Sequence, residues 1–441
     1  MMSQFIVDLS SPYILVCLFG GMLSWIVSAV LDGLDNLRLD SKDKISKALD
    51  VHPLMKEMYD EKTIEASQAY SAKWGFFSQM SQKISSEIDN VVFLLGIPAA
   101  LVWLGMKWTT FPFPLQIAFV MACTTFIKAL LSVPLEILAD KIEKAFGYSN
   151  LTLKTFITDK VKGYFISVGM LALEVTVAYY ALKWLGKLDF AAILAFLVGW
   201  QLFNYLVSLL EVYVIEPMFN KYKPLEDGEL KTKLKDLVEK YGYRLDNVFV
   251  MDESRRSKKG NAYCMSIPFG PKRIVIYDTL MQQLSTDEIV AVFAHELGHA
   301  KLFHNQISWI VNFAEMAVMA YAISVFAYNV DVYHAFGFRY VNAENILEFA
   351  VIGIWLSSML INAISWTTAP LQAIMSRKHE YAADRYAAKC GYGKELETGL
   401  IKLHAKNGGD LAPSKAWMWW HASHPGIVER VNALKKTNRN V

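Results

Sequence analysis

The chain has almost no net charge: 44 Lys and Arg stand against 42 Asp and Glu, leaving +2 over 441 residues. With no GxGxxG or GxxxxGK[ST] loop either, it offers no polycation to nucleic acid and no cradle for nucleotide phosphates, so neither partner is expected. Cysteine is scarce and dispersed. Cys17, Cys123, Cys264 and Cys390 form no CxxC pair, which argues against a disulfide framework and against a thiolate zinc site. Basic residues are missing before the first apolar run: MMSQFIVDLSS has no Lys or Arg and lacks the n-region of a cleaved leader, so the first apolar segment is expected to remain as an anchor. No internal repeat or low-complexity stretch stands out.

Apolar residues, by contrast, are abundant. They make up 54% of the chain, above the roughly 45–50% of soluble domains. Stretches of about 20 apolar residues fall at 12–31, 91–111, 113–138, 163–185, 189–215, 308–330 and 345–370, predicting seven membrane spans. Of the 44 basic residues, only Lys107, Lys183, Lys187 and Arg339 lie in or at the span ends beside the even-numbered loops, none lies in the amino-terminal tail, and Lys128 lies inside a span. The remainder fall on the other side, which predicts an outside amino terminus and a cytosolic carboxy terminus. Several spans carry Lys128, Glu136, Glu174, Asn204, Glu211, Asn312, Glu315 or Asn362. Lys128 and Glu136 are near enough to span ends to snorkel, whereas Glu174, Glu211 and Glu315 call for partners within the bundle or an internal wet space. The expected organisation is membrane spans one to five over 1–219, with cytosolic loops 32–90 and 140–162; a cytosolic segment 220–307; spans six and seven over 308–370; and a second cytosolic segment 371–441.

The two cytosolic segments carry the chemistry. A helix is predicted over 227–240, a strand over 248–251, and a hairpin from NAYCMSI (Asn261 to Ile267) and RIVIYD (Arg273 to Asp278) around the Pro268-Phe269-Gly270-Pro271 turn. Ser285 and Glu288 form a capping-box pattern that starts the next helix. On that helix His295 and His299, four apart, face one way and can share a zinc ion, with Glu296 beside them as general base. A metzincin's third histidine is absent, since Asn305 occupies its place, and His304 is expected at the surface or behind a ligand. In SRKHEYAADRYAA (Ser376 to Ala388), Glu380 and Asp384 again share a helical face: Glu380 can complete a His₂Glu site and Asp384 can accept a hydrogen bond from a zinc-binding histidine. Without HELGH, a solvated charged helix would be the plainer reading of that stretch.

These residues in this order resemble the type I CAAX prenyl proteases. The likeness extends to AFGYSNLTLKTFITDKVKG (145–163), IEPMFNKYKPLEDGELK (215–231), NAY (261–263), KRIVIYDTL (272–280) and MWWHASHPGIVERVNALK (418–435), over roughly residues 60 to 437. The chain departs from the family pattern with Gly426 after Ser423-His424-Pro425, with Lys259-Gly260 before NAY, and with a short connection from Asp278 to the HELGH helix. The resemblance implies a predominantly α-helical integral membrane protein, a seven-span barrel around a water-filled chamber, capped by a gluzincin-like domain with a small β-sheet. It implies one Zn²⁺ per chain on His295, His299 and Glu380, Glu296 as base, and His424 as donor to the oxyanion. Asp384 and Arg430 would support the ligands, and the strand Asn261, Ala262, Tyr263 would pair with substrate backbone. Trp417, Trp419 and Trp420 are candidates to touch the prenyl chain or to anchor the protein in lipid. The implied activity is removal of the aaX tripeptide from farnesylated CaaX proteins, in some lineages with a second upstream cut. The implied setting is the endoplasmic reticulum and inner nuclear membrane, with membrane lipid as a further partner and the monomer as the working unit. Outside that resemblance, a broad membrane quality-control protease and a scaffold with structural zinc are the rival readings.

Overall fold

The structure, a computed structural model, describes residues 5–36, 42–241, 247–265 and 273–439. In chain order its first part comprises α1 (Pro12–Asn36), α2 (Lys42–Leu49), α3 (Pro53–Met58), α4 (Glu61–Leu94), α5 (Ile97–Trp108), α6 (Phe113–Ala145), α7 (Leu153–Leu185) and α8 (Phe190–Leu210). A π-helical turn (Glu211–Ile215) continues α8 into α9 (Glu216–Phe219). The next part alternates: β1 (Tyr222–Pro224), α10 (Glu229–Lys240), β2 (Asn247–Met251), β3 (Ala262–Met265), β4 (Arg273–Tyr277), α11 (Asp278–Gln283) and α12 (Thr286–Lys301). The chain closes with α13 (His304–Phe326), α14 (Val330–Ala335), α15 (Ala350–Ser365), α16 (Ala369–Ala387), α17 (Gly393–Lys406), α18 (Lys415–His421) and α19 (Ile427–Asn438).

Among the described residues, six helical stretches are long and apolar enough to cross a membrane, and α4 with α5 make a seventh if that pair, bent by 52°, is one span. The second predicted span, 91–111, is therefore not a helix of its own. Gly96 takes φ +66° and its absent Cβ would stand 2.1 Å from the Phe5 carbonyl oxygen, a place only glycine fills. At 34 residues, α4 is about 50 Å long and outreaches a hydrocarbon core of about 30 Å, so much of the expected 32–90 loop is helix. The last predicted span, 345–370, becomes α-helical only at Ala350. Before it, the Asn342 and Asn345 side chains accept from nearby backbone amides at 2.8 to 3.1 Å, favouring turn over helix. The loop expected over 140–162 shrinks to 146–152, because α6 and α7 run on past their apolar portions.

The loops sort to two ends of the bundle. At one, the amide of Asp8 donates to Ala335 O and Tyr340 Oη to Ala99 O, both at 3.0 Å. At the other, the 146–152 loop joins the sheet-bearing part, with Lys258 N donating to Tyr148 O and Asn150 N to Arg256 O at 2.9 Å. The count of basic residues likewise puts the amino-terminal tail with the connection before α15, and the 146–152 loop with the sheet-bearing part.

Between the helices lies a cavity of about 720 Å³ lined by polar groups including Ser24, Gln82, Glu87, Thr124, Lys128 and Asn362. Lys128 thus faces inward instead of snorkelling. Glu136 does find a cation, Lys160, at 2.5 Å, and Glu315 accepts from Gln372 Nε2 at 3.1 Å. Glu174 and Glu211 do not line this cavity.

The sheet runs β1-β2-β4-β3, with β2 and β4 parallel and the other pairs antiparallel. The predicted hairpin is present as β3 and β4, registered Ala262 to Ile276 and Tyr263 to Val275; its Pro268 to Pro271 turn lies outside the described residues. β3 is an edge strand, so one of its sides has no neighbouring strand in this sheet. Ile274 and Ile276 are buried in a core shared with Leu234, Leu237, Val290, Ala294 and Leu297, which fixes that face of the sheet against α10 and α12.

Candidate metal centre

The capping box at the start of α12 forms as expected: Ser285 N donates to Glu288 Oε2 at 2.9 Å and Glu288 N to Ser285 Oγ at 3.4 Å. Lys402 of α17 pairs with the buried Glu288 at 2.7 Å; burial pushes the Glu288 carboxyl up, but hydrogen bonds from Lys402, Ser285 and Thr398 together with the Lys402 charge bring it below its ordinary value. The beginning of the HELGH helix is therefore held from two sides.

The rest of α12 packs against α16 through small residues. Ala294, Ala383 and Ala387 are fully buried, and a Cβ on Gly298 would stand 3.0 Å from Ala383 Cα and 3.1 Å from Tyr386 Cβ. Glycine at 298 lets the two helices approach closely enough for their side chains to converge on one point. Gly298→Leu should force them apart and lower zinc retention at least tenfold; metal analysis of the purified variant checks this, and full occupancy would show that the close approach is dispensable.

Those converging side chains are His295, His299 and Glu380, whose ligand atoms all lie within 4.8 Å of one another. His295 Nε2 and His299 Nε2 are 3.1 Å apart, His299 Nε2 is 3.3 Å from Glu380 Oε1, and His295 Nε2 is 3.5 Å from Glu380 Oε2. An ion with tetrahedral bonds of about 2.0–2.1 Å requires donors about 3.3 Å apart, so the residues fit a zinc-like cation. Glu380 Oε2 is also buried without a hydrogen-bond partner among the described residues, an acceptor that such an ion would satisfy.

A buried layer supports these three. Asp384 Oδ1 lies 2.9 Å from His295 Nδ1. Arg430 clamps Asp384 from α19, with Nε to Oδ2 at 2.9 Å and Nη2 to Oδ1 at 2.6 Å, while its Nη1 lies 3.3 Å from Glu380 Oε2. Burial alone would raise the Asp384 carboxyl; the Arg430 charge and hydrogen bonds from His295 and Arg430 overcome it and hold it at about 2. At Glu380 burial is likewise outweighed, by the His299 hydrogen bond and the His295 and Arg430 charges, giving about 2. Asp384 is 1% and Arg430 8% exposed, so this is a desolvated network in which each charge depends on the others.

Of the two places expected for His304 it takes the one behind a ligand: it is buried, with its Nδ1 3.0 Å from His299 Nδ1. Phe303, with φ +57°, turns the chain sharply between α12 and α13, swinging His304 back beneath His299. His379 stacks on His304 at 4.1 Å, rings 7° from parallel, and is not one of the three clustered ligands. His424 is mostly exposed, with Nε2 3.6 Å from Glu380 Oε1. Glu296 shares a small recess with Ala262 and Tyr263 of β3 and with Phe293. Asn261 immediately precedes that strand, its carbonyl accepting from Tyr277 N at 3.1 Å. His295, His299, Glu380, Asp384, Arg430 and His424 are thus brought together, while Glu296 meets Ala262 and Tyr263 in the recess.

Beside it opens a pocket of about 590 Å³ that includes His424 and Arg430 and is walled by Tyr70, Trp74 and Phe76 of α4, Leu403 of α17 and Trp417 of α18. Trp420 lines the cavity between the helices instead and stacks on Trp366 at 5.9 Å. Arg377 secures α18 by donating to the Met418 and Ala422 carbonyls at 2.7 Å. The Trp-rich α18 therefore stands between the pocket and the intramembrane cavity.

An HExxH helix joined to a carboxylate helix, set at one end of a membrane bundle, defines an integral-membrane metalloprotease. Residues 224–438 match Peptidase family M48, and residues 43–221 match the CAAX prenyl protease N-terminal region, described as five membrane helices. CAAX prenyl protease 1 of Saccharomyces cerevisiae is 32% identical over 405 residues, covering 87% of this chain and 88% of that protein. The Arabidopsis thaliana homologue is 30% identical over 419 residues, covering 86% and 89%. The crystal structure of S. mikatae Ste24p superposes with TM-score 0.83 at 27% identity, over 96% of this chain and 99% of that one. The chain belongs to the CAAX prenyl protease family of M48 peptidases.

Proposed function

We propose that this protease removes the carboxy-terminal aaX tripeptide from prenylated, above all farnesylated, CaaX proteins, with a second upstream cut in the same chain as a further use of the site. The observation that carries the reading is the adjacency of the His295, His299 and Glu380 cluster to the aromatic pocket bounded by α4 and α18. Peptide chemistry and a lipid-compatible surface meet there, as a prenylated carboxy terminus requires. The names of the relatives support the same substrate class.

One Zn²⁺ on His295, His299 and Glu380 would supply Lewis acidity toward water and the scissile carbonyl. Glu296 takes the proton of the attacking water and returns it to the leaving amine. Asp384 accepts from His295 Nδ1–H and so leaves Nε2 free as a ligand, while Arg430 fixes the Asp384 and Glu380 carboxylates. His424 donates to the oxyanion, a contribution of roughly 2.7–4 kcal/mol for such donors. Asn261, Ala262 and Tyr263 offer the free edge of β3 to the peptide backbone, which admits varied side chains because main-chain bonds supply the affinity.

The zinc domain is assigned to the cytosol and the amino terminus to the lumen of the endoplasmic reticulum or inner nuclear envelope, with the monomer in contact with membrane lipid as the working unit. A glycan at the Asn150-Leu151-Thr152 sequon, on the zinc-domain end of the bundle, would contradict that orientation. Mass spectrometry of products from matched farnesylated and unfarnesylated CaaX peptides tests the substrate. Loss of aaX from the farnesylated peptide alone supports the reading; equal cutting of both would replace it with a general membrane protease.

A further inference from the structure

The segment that leads into the β3 edge is tied down more heavily than a connection needs to be. Gly260 N donates to Asn407 Oδ1 and Asn407 Nδ2 donates to Gly260 O, both at 3.1 Å. The carbonyl of Lys259 accepts from Thr279 Oγ1 at 2.9 Å, and that of Lys258 from Gln283 Nε2 at 2.7 Å. The Lys259 side chain then leaves the sheet-bearing domain altogether. Its ammonium meets Glu143 Oε1 of α6 and Tyr70 Oη of α4, each at 2.7 Å, and Tyr70 Oη also donates to Glu143 Oε1 at 2.7 Å. Three rings surround it, Tyr70 at 5.0 Å, Tyr148 at 5.4 Å and Trp74 at 5.6 Å.

An ammonium enclosed by one carboxylate and three aromatic faces has a single well-defined seat. Tyr70 and Trp74 also wall the pocket beside the metal centre. The same contact therefore joins the pocket wall on α4, the end of α6, and the residue two places before Asn261.

We propose that Lys259 is a positioning residue for the substrate: its seat on Glu143, Tyr70, Trp74 and Tyr148 anchors the peptide-docking edge to the membrane helices α4 and α6. The proposal rests on the reading of Asn261 to Tyr263 as the edge that binds peptide. Among the described residues β3 has only β4 as a neighbouring strand, so before substrate arrives the ordering of its leading end falls to these anchors. The membrane helices thereby set where the strand lies relative to Glu296 and the pocket.

Hydrogen–deuterium exchange on the zinc-loaded full chain tests this without needing turnover, so its failure is distinguishable from failure of the functional reading. In Lys259→Met and in Glu143→Gln, the Gly260 amide and the β3 amides bonded to β4 should exchange at least about tenfold faster, while α12 exchange and zinc content stay unchanged. The double variant should be no worse than either single one, since both remove one contact, and Lys259→Arg, which keeps the charge, should stay close to the unsubstituted protein. Under turnover, KM for the peptide should rise about tenfold with kcat within about twofold, the signature of lost ground-state binding. Unchanged strand exchange in both single variants would overturn the proposal, as would effects that simply add. Should Lys259→Met fail to fold, Glu143→Gln alone carries the same comparison.

Discussion

Glu296→Gln should retain its zinc and lose hydrolysis by roughly 10²–10⁴-fold, the contribution of a positioned general base. The substitution keeps the shape of the side chain and removes only its ability to take a proton. Glu296 is not among the three clustered ligand residues, and it faces the recess under Ala262 and Tyr263, so neither the ion's donors nor the fold of α12 should change. Metal content and product formation measured on one preparation decide it. If the glutamine variant lost zinc as readily as His295→Ala, Glu296 would be holding the centre together instead of serving it as base.

Arg430→Leu should be the most damaging change away from the three clustered residues. It strips the cation from two buried carboxylates: Asp384, bonded at 2.6 and 2.9 Å, and Glu380, at 3.3 Å. Removing one partner of a buried pair costs about 3–5 kcal/mol, because the charge left behind cannot be resolvated. Since Asp384 also orients His295, zinc affinity should fall roughly 10–100-fold. The pH dependence has a defined sign. Asp384 titrates at about 2 in the folded protein, below its unfolded value of about 3.9; the stability it contributes is complete above the latter and lost as pH falls through the former. Without Arg430 the largest influence opposing burial is lost, leaving only His295 against it, and Asp384 should protonate at higher pH. The stability gap between variant and parent should therefore be widest at neutral pH and narrow on acidification, as thermal unfolding across pH would record. A gap independent of pH would mean that Arg430 contributes through packing alone.

How far these features were legible in the sequence follows from the range of the interactions. His295, Glu296 and His299 are fixed by helical period, as are Glu380 and Asp384, and the Ser285 and Glu288 box is a local exchange of hydrogen bonds; all of these could be read directly. The Arg430 clamp could not be derived from spacing, since 46 residues separate it from Asp384; only the family resemblance marked it. For His304 the motif left two places open, at the surface or behind a ligand; the positive φ of Phe303, which turns it behind His299, has no sequence signal in a bulky residue. Hydropathy located apolar stretches but not where their backbones break. Gly96 and Pro98 divide the second span, and paired asparagines delay the last, because an apolar average is blind to a single dihedral. Strand β1, three residues long, is too short to leave a pattern. Lys259 showed in the sequence only as a departure from the family; the seat that gives it meaning is assembled from α4, α6 and the 146–152 loop.

The central claim, a metal centre built from His295, His299 and Glu380, is tested most directly by zinc stoichiometry in the purified protein and its His295→Ala, His299→Ala and Glu380→Ala variants. The account predicts one zinc per chain in the parent and its loss in all three variants. Full zinc occupancy in Glu380→Ala would contradict it and move the third ligand to another side chain, with His424, 3.6 Å from Glu380, the first to examine.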